Sequence, residues 1–293
     1  MAIARDFTQL PTSDMGHKLT TVDLIERVNK IVQDVVYSIV MPSFRSLRPE
    51  DIHSKDTAGD PDDVVTIVDK AAERYLIDAL SDVIPGAAFI GEEAVSEDAS
   101  LLAALSEATP AWLIDPIDGT KNFAQGNGNF GVMLALVEGG RTRASWMAVP
   151  AAEPSGYSVV AERGGGTRID GARVESPRSV PSVPRGSIHT RMMPADNARE
   201  VVRKLLGKYE TRPSTGSAAT EYSDILRGTK DFVIYYRLLP WDHAPGALAV
   251  TEAGGAGLHL SGEPYAPLSP NQVTIFAATP ELAQTIRAWL TLD

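Results

Sequence analysis

The chain has no cysteine among its 293 residues, which excludes structural disulfides, thiolate nucleophiles and cysteine-bound zinc together. Histidine is scarce too: His17, His53, His189, His243 and His259 show no close pairing of the kind zinc enzymes use. No stretch approaches the roughly 18 apolar residues of a membrane span, and Met1 to Leu19 is polar, without the apolar segment of a secretory signal. A soluble, cytoplasmic protein with no membrane partner is therefore expected. Basic residues are outnumbered, 27 Lys and Arg against 38 Asp and Glu, and scattered, so no nucleic-acid partner is expected. A G-x-S-x-G elbow is absent, which leaves a serine hydrolase unsupported. The chemistry must come from oxygen and nitrogen donors, and acidic side chains dominate them.

What is present reads as alternating helices and strands. Val22, Ile25, Val28, Val32, Val35, Val36 and Ile39 recur at helical spacing, and Pro42 is expected to end that helix. Arg48 to Asp63, charged and carrying Gly59 and Pro61, reads as a loop. Val68, Ala72, Tyr75, Leu76 and Leu80 predict a second helix, stopped near Pro85 and Gly86. Two short apolar runs, Ala87 to Ile90 and Ala111 to Ile114, read as buried strands that deliver acidic residues to one sheet edge. Gly131 to Val137, Ala144 to Val149 and Tyr157 to Ala161 predict hairpin strands of a mostly antiparallel sheet. Gly171 to Arg185 is the best lobe boundary. Beyond it, helices are expected around 197–206, 217–227, 243–252 and 281–290, with strands at Phe232 to Tyr235 and Thr274 to Ala277.

The strongest chemical signal is Asp115-Pro116-Ile117-Asp118-Gly119-Thr120, directly after a strand. Two carboxylates three residues apart, turned by Pro116 and Gly119, can face one cation, with the Ile117 carbonyl as a third oxygen. The same letters also make ordinary solvated turns. Gly91-Glu92-Glu93 follows a neighbouring strand and shifts that balance, because clustered carboxylates repel by roughly 4 kcal/mol per pair at about 4 Å and an effective dielectric near 20. A divalent cation removes that repulsion. Trp241-Asp242 leads a helix, where Asp242 taken by itself reads first as an N-cap, a position from which it can also face a metal, and Pro245 suits a first helical turn. Asp63-Val64-Val65-Thr66-Ile67-Val68-Asp69 adds two carboxylates: Asp69 is expected to cap the next helix, and Asp63, not separable from Asp62 on these grounds, to orient a water. Gly126-x-Gly128-x-x-Gly131 matches a dinucleotide fingerprint by letter but precedes a strand, which argues against a nucleotide cofactor.

Taken in order, Asp63-x-x-Thr66-x-x-Asp69, Gly91-Glu92-Glu93, Trp112-x-x-Asp115-Pro116-Ile117-Asp118-Gly119-Thr120-x-Asn122-Phe123, Gly216-Ser217-Ala218-Ala219, Trp241-Asp242 and Thr251-Glu252-Ala253-Gly254-Gly255 resemble the inositol monophosphatase family of Mg²⁺-dependent, Li⁺-inhibited phosphatases. The resemblance implies an α/β (α+β layered) αβαβα sandwich. It implies one phosphatase domain over 1–293, with pseudo-lobes of about 1–184 and 185–293, assembled as a homodimer. It implies a first Mg²⁺ on Glu92, Asp115 and the Ile117 carbonyl and a second on Asp115, Asp118 and Asp242. Glu92 would also reach a third, weakly held ion. Asp63, Glu92 and Thr120 would be catalytic, with Asp63 and Thr120 holding the attacking water. Asp118, Gly119, Thr120, Gly216, Ser217, Tyr235 and Asp242 would contact a small phosphorylated substrate.

Inositol-selecting members resemble one another in a glutamate seven residues before the aspartate that follows tryptophan. Here that position is Tyr235, followed by Tyr236 and Arg237. Relatives acting on fructose 1,6-bisphosphate, histidinol phosphate or 3'-phosphoadenosine 5'-phosphate are thus open alternatives to inositol 1-phosphate. Arg237 reads either as a partner for a second phosphate or as a solvated strand-end charge. A regulatory partner of transcription machinery is the alternative of another class.

Overall fold

Strand β5 (Gly131–Glu138) sends Val132, Leu134 and Leu136 to one side and Met133, Ala135 and Val137 to the other, and all six are buried. A strand with two apolar faces requires a cover on each. The computed structural model describes residues 21–55, 64–152, 155–175 and 179–292 and supplies both covers. β5 belongs to a seven-stranded sheet with β3 (Ala88–Gly91), β4 (Ala111–Asp118), β6 (Arg141–Val149), β7 (Tyr157–Glu162), β8 (Gly166–Ile169) and β9 (Ala172–Val174), in that spatial order with β5 after β4. β3 and β4 are parallel, and every other pair is antiparallel.

One face of this sheet packs on α1 (Thr21–Val35) and α3 (Ile67–Ser81), through Leu24, Val28, Ala72 and Leu76 against Trp112, Leu134 and Trp146. The other packs on α7 (Ala218–Leu226) and α8 (Pro240–Glu252), through Met133 and Met147 against Tyr222 and Leu248. Beyond that helix layer lies a five-stranded sheet in the order β11 (Glu210–Thr211), β10 (Arg185–Ile188), β12 (Phe232–Tyr235), β14 (Thr274–Ala277), β13 (Ala256–His259). β12 turns Val233 and Tyr235 toward α7 and α8, and Phe232 and Ile234 toward α6 (Ala195–Leu205) and α9 (Pro280–Thr291). The layers are therefore αβαβα, as expected.

The departures have local causes. The first helix continues past Val35 as a π-helical turn, Val36–Val40, and then α2 (Met41–Ser43), so Pro42 lies inside it rather than ending it. Proline has no N–H for the usual four-residue bond, and the Met41 N–H reaches back five residues to the Val36 carbonyl. The stretch read as a loop contains β1 (Ile52–Ser54), paired with β2 (Val64–Thr66). Three residues are too few for alternation to be visible, β9 and β11 are as short or shorter, and β8, β10 and β13 mix glycine with polar residues instead of forming an apolar run. Two short helices complete the set, α4 (Glu92–Glu97) and α5 (Thr120–Ala124).

α7 and α8 touch at Gly246, where a Cβ would lie 2.0 Å from the Tyr222 ring. Gly246→Ala is expected to overpack this layer and to lower stability by about 1–3 kcal/mol. A urea-unfolding midpoint unchanged from wild type would contradict it.

Candidate active site

Four elements bring the acidic residues to one cleft: the β3–α4 junction (Glu92), β4 (Asp115 and Asp118), the first turn of α8 (Asp242) and the N-terminus of α7. β4 carries both aspartates within the strand, where its register against β5 shifts between Asp115 and Asp118. The expected tight turn is thus an irregularity in the strand, and the reversal falls at Gly119, with φ of 83°. A side chain there would be strained and would sit 3.0 Å from both the Asn129 carbonyl and Ser217 Cβ.

Asp118 is the best held. It accepts hydrogen bonds from the Ser217 hydroxyl, from the Ala218 N–H at 3.0 Å and from the Ala219 N–H at 2.7 Å. A carboxylate at a helix N-terminus is favoured by the unpaired N–H groups and the helix dipole. Burial pushes its pKa up to about 6, against those donors. Ser217, expected to meet substrate, is thus bonded to Asp118 and also caps α7. Gly216 sits beside it with φ of 73°, its loop tied by Asn122, which donates to the Thr215 carbonyl.

Asp69 is not the N-cap of α3. Thr66 is, and Asp69 sits at the third helical position, accepting from the Thr66 N–H and hydroxyl in a capping box. Its other oxygen lies 2.9 Å from Thr120 Oγ1, which is also 2.9 Å from the Ile117 carbonyl. Asp69 is fully buried, and burial raises its pKa to about 6. Asp63 lies outside the described residues, so the carboxylate seen on Thr120 is that of Asp69. Asp242, expected at a cap, is instead the third residue of α8; Leu239 is the N-cap and Pro240 the first helical residue. Pro245 accordingly falls in the second turn.

Glu92 is engaged by Lys55, whose ammonium donates to it at 2.7 Å and to Glu93 at 2.6 Å. α4 is fixed from behind by Glu73, which accepts the Glu93 and Ala94 N–H groups at 2.9 and 3.0 Å. Neither Lys55 nor Glu73 was singled out by motif reading. Glu73 lies on the apolar side of α3, and a charge at a core position was the available signal.

Asp115 is buried, and among the described residues its Oδ1 has no hydrogen-bond partner. Burial first, then Glu92, Asp118 and Asp242, raise its pKa well above the usual carboxylate range, and Asp242 is raised by burial, Glu92 and Asp118. Among the described residues, no three His, Asp or Glu side chains form a ready-made cation site. The donor set nevertheless suits a hard divalent ion: oxygen ligands, an orphaned buried carboxylate oxygen, and neighbours that repel one another.

A model of the inositol monophosphatase family matches residues 22–290. The chain belongs to that family. Membership makes it a phosphoric monoester hydrolase. It is 28% identical to an inositol-1-monophosphatase of Bacillus subtilis over 79% of this chain and 84% of the relative. It is 30% identical to a fructose-1,6-bisphosphatase/inositol-1-monophosphatase of Thermotoga maritima over 71% and 76%. It is 31% identical to the Nus factor SuhB of Escherichia coli over 77% and 82%. Among solved structures, an IMPase of Thermotoga maritima superposes with a TM-score of 0.74 at 26% identity, covering 91% of this chain and 96% of that one. No helix among the described residues is long and apolar enough to cross a membrane.

For this family member, the cleft of about 610 Å³ has a second wall of different character. Tyr235 is buried, stacks on His189 at 4.2 Å between ring centroids, and has a hydroxyl without a partner among the described residues. His189 Nε2 lies 3.6 Å from Glu221, beyond hydrogen-bond distance, and Glu221 accepts from Lys230, from Ser187 and from the Thr215 N–H. His243 is buried and bonded to Tyr222 and to the Arg237 carbonyl.

Burial would raise the Glu221 carboxyl, but His189 and Lys230 hold it down at about 2. A lowered folded value gives stability that is present above the ordinary 4.5 and is lost as pH falls through about 2. Glu221→Gln should cost about 3 kcal/mol near pH 7, and the gap to wild type should narrow as pH falls from 4.5 toward 2. Denaturation midpoints across that range would show a constant gap if the Lys230 and His189 pairing were not responsible.

Proposed function

We propose that the chain hydrolyses a small phosphate monoester of a polyol or sugar, inositol 1-phosphate being the first candidate, with Mg²⁺ as cofactor. The observation that carries this reading is the buried Asp115, whose Oδ1 is unpaired while Glu92, Asp118 and Asp242 raise its pKa. Asp115, Asp118, Asp242, Glu92 and the Ile117 carbonyl would hold two ions, and Glu92 a third. When bound, the ions supply the positive charge that an acidic cleft needs to accept a phosphate, and they acidify the attacking water.

The chain's own groups orient that water. Thr120 Oγ1 lines the cleft and directs its hydrogen to the Asp69 carboxylate or the Ile117 carbonyl, which leaves its lone pairs for a water proton. Asp69, fixed by Thr66, is the carboxylate behind it. A covalent phosphoenzyme is not required. A cytoplasmic homodimer sensitive to Li⁺ is the assembly and inhibition proposed from the family likeness.

Phosphate release from inositol 1-phosphate, fructose 1,6-bisphosphate, histidinol phosphate and 3'-phosphoadenosine 5'-phosphate, with and without Mg²⁺ and with Li⁺ added, tests the reading. Release from at least one ester, dependent on Mg²⁺, is expected; none from any would overturn it. Thr120→Ala and Asp69→Asn should each lower kcat by about 10²-fold or more, as loss of a positioned proton-handling group does.

The metal site has a test that needs no turnover. An ion that binds only the folded state stabilises it, so Mg²⁺ should raise the melting temperature. Asp115→Asn should raise the melting temperature of the metal-free protein, because burial and the neighbouring carboxylates disfavour the ionised carboxyl that the unfolded chain prefers, and should reduce the Mg²⁺-induced rise. An undiminished rise would count against Asp115 as a ligand.

The 31% identity to relatives named Nus factors favours a second, regulatory reading. Asp118→Asn should abolish turnover; a transcription phenotype that survived it would mark a role independent of catalysis.

A further inference from the structure

A second cavity, of about 560 Å³, lies at the other end of α8, and among the described residues it shares no lining residue with the acidic cleft. The segment Thr251-Glu252-Ala253-Gly254-Gly255 closes that helix, and Thr251, Glu252 and Gly255 line the cavity. They have no part in the acidic cleft. The floor is apolar: Ala247 and Leu248 from α8, Leu258 from β13, Tyr265 from the loop that follows, and Ala283 from α9. At Gly255 a Cβ would lie 2.5 Å from the Ala277 carbonyl oxygen, and at Gly257 2.8 Å from the Phe276 ring. Neither position can carry a side chain, so the floor is bare backbone there.

The exposed rim is charged and firmly built. Its charged residues are Arg141, Arg163 and Glu252. Glu252 accepts the Gly164 N–H at 2.9 Å and the Gly166 N–H at 3.2 Å, which ties the turn between β7 and β8 to the end of α8. Arg163 lies in that turn. Its backbone N–H donates to the Arg143 carbonyl at 2.8 Å and its Nε to the Thr142 carbonyl at 2.9 Å, so backbone and side chain are both fixed to β6. With Nε occupied, its two Nη groups remain, and among the described residues they have no partner. Arg141 begins β6 opposite Glu138, but Glu138 is bonded to Arg143 at 2.8 Å instead, which leaves the Arg141 guanidinium without a partner among the described residues.

These features define a ligand. Two guanidinium charges against one carboxylate leave the rim positive. The paired Nη edge of an arginine matches the two oxygens of a carboxylate. The apolar floor disfavours a molecule that is polar throughout, since its groups would be buried without hydrogen bonds. The volume falls within the range of about 300–1,000 Å³ that holds a whole small molecule.

We propose that this cavity is a second binding site, for a small organic monoanion made of a carboxylate on an apolar body. Arg163 and Arg141 meet the carboxylate, and the floor formed by α8, β13 and α9 covers the body. The site is separate from the phosphatase reading, and its occupancy is measured without turnover.

A ligand-observed NMR titration of the full chain tests this in EDTA, where no metal can hold a carboxylate in the acidic cleft. The probes are 3-phenylpropanoate and hexanoate, with 3-phenylpropan-1-ol as the uncharged analogue. Both carboxylates are expected to bind saturably with Kd of about 1 mM or below, the range open to ligands of about ten heavy atoms, and the alcohol about tenfold more weakly. Arg163→Ala and Arg141→Ala should each weaken the carboxylates by about fivefold or more and leave the alcohol within about twofold. Arg237→Ala, in the acidic cleft, should leave all three within about twofold. Unchanged melting temperatures would show that the variants are folded, and Arg141→Ala, which removes no contact within the described residues, keeps the comparison available if Arg163→Ala is not. No saturable binding of either carboxylate, equal affinity for the alcohol, or a loss in Arg237→Ala with none in the other two variants would overturn the proposal.

Discussion

The confinement of four carboxylates in one cleft, three of them with their pKa raised by burial and by one another, is the constraint on which the rest of the structure turns. At an effective dielectric near 20, each close pair costs roughly 4 kcal/mol, comparable with a large share of a domain's net stability of about 5–15 kcal/mol. The fold disperses this cost unequally. Asp118 receives a hydroxyl and two backbone N–H groups from α7. Glu92 receives the Lys55 ammonium. Asp115 retains an oxygen with no partner among the described residues. The compensation is therefore complete where the protein fixes a side chain and missing where an ion is proposed to complete it.

The same logic explains the second row of acids. Glu73 ties down the start of α4, and Asp69 ties Thr66 to Thr120, each using a buried carboxylate to satisfy backbone or hydroxyl donors. These groups fix the bearing of Glu92 and Thr120. Both are buried acids that a bland core could not hold, since each would need its donors in place.

How much could be read without coordinates follows from these roles. Strands Phe232–Tyr235 and Thr274–Ala277 were legible to the residue because a short apolar run between helices admits little else. The grouping of Glu92 with Asp115 and Asp118 was legible because two short apolar runs that pair side by side in parallel, Gly91 beside Ile114, carry the acidic residues after them to the same side. Asp69 was misread because an aspartate opening a helix has two usual positions, the cap and the third residue, and Thr66 competes for the first. Lys55 and Glu73 act across 37 and 20 residues of sequence, and no local spacing encodes such contacts. The wall formed by His189, Tyr235 and Arg237 joins two strands, β10 and β12, that pair directly although more than 40 residues separate them along the chain.

α8 connects the two chemistries. Its third residue, Asp242, belongs to the acidic wall, and the next, His243, turns to Tyr222 and holds the Arg237 carbonyl. Successive residues of a helix point about 100° apart, so one rigid turn can serve both walls at once. Pro240 at the first helical position starts that turn without leaving an extra N–H to satisfy. Gly246 then lets the helix lie against the ring of Tyr222, the same side chain whose hydroxyl meets His243 Nδ1. A displacement of α8 would therefore move Asp242 relative to Asp118 and Arg237 relative to Asp242 together. The spacing between the acidic wall and the strand end at Arg237 is thus a property of helix packing, decided by Tyr222, His243 and Gly246.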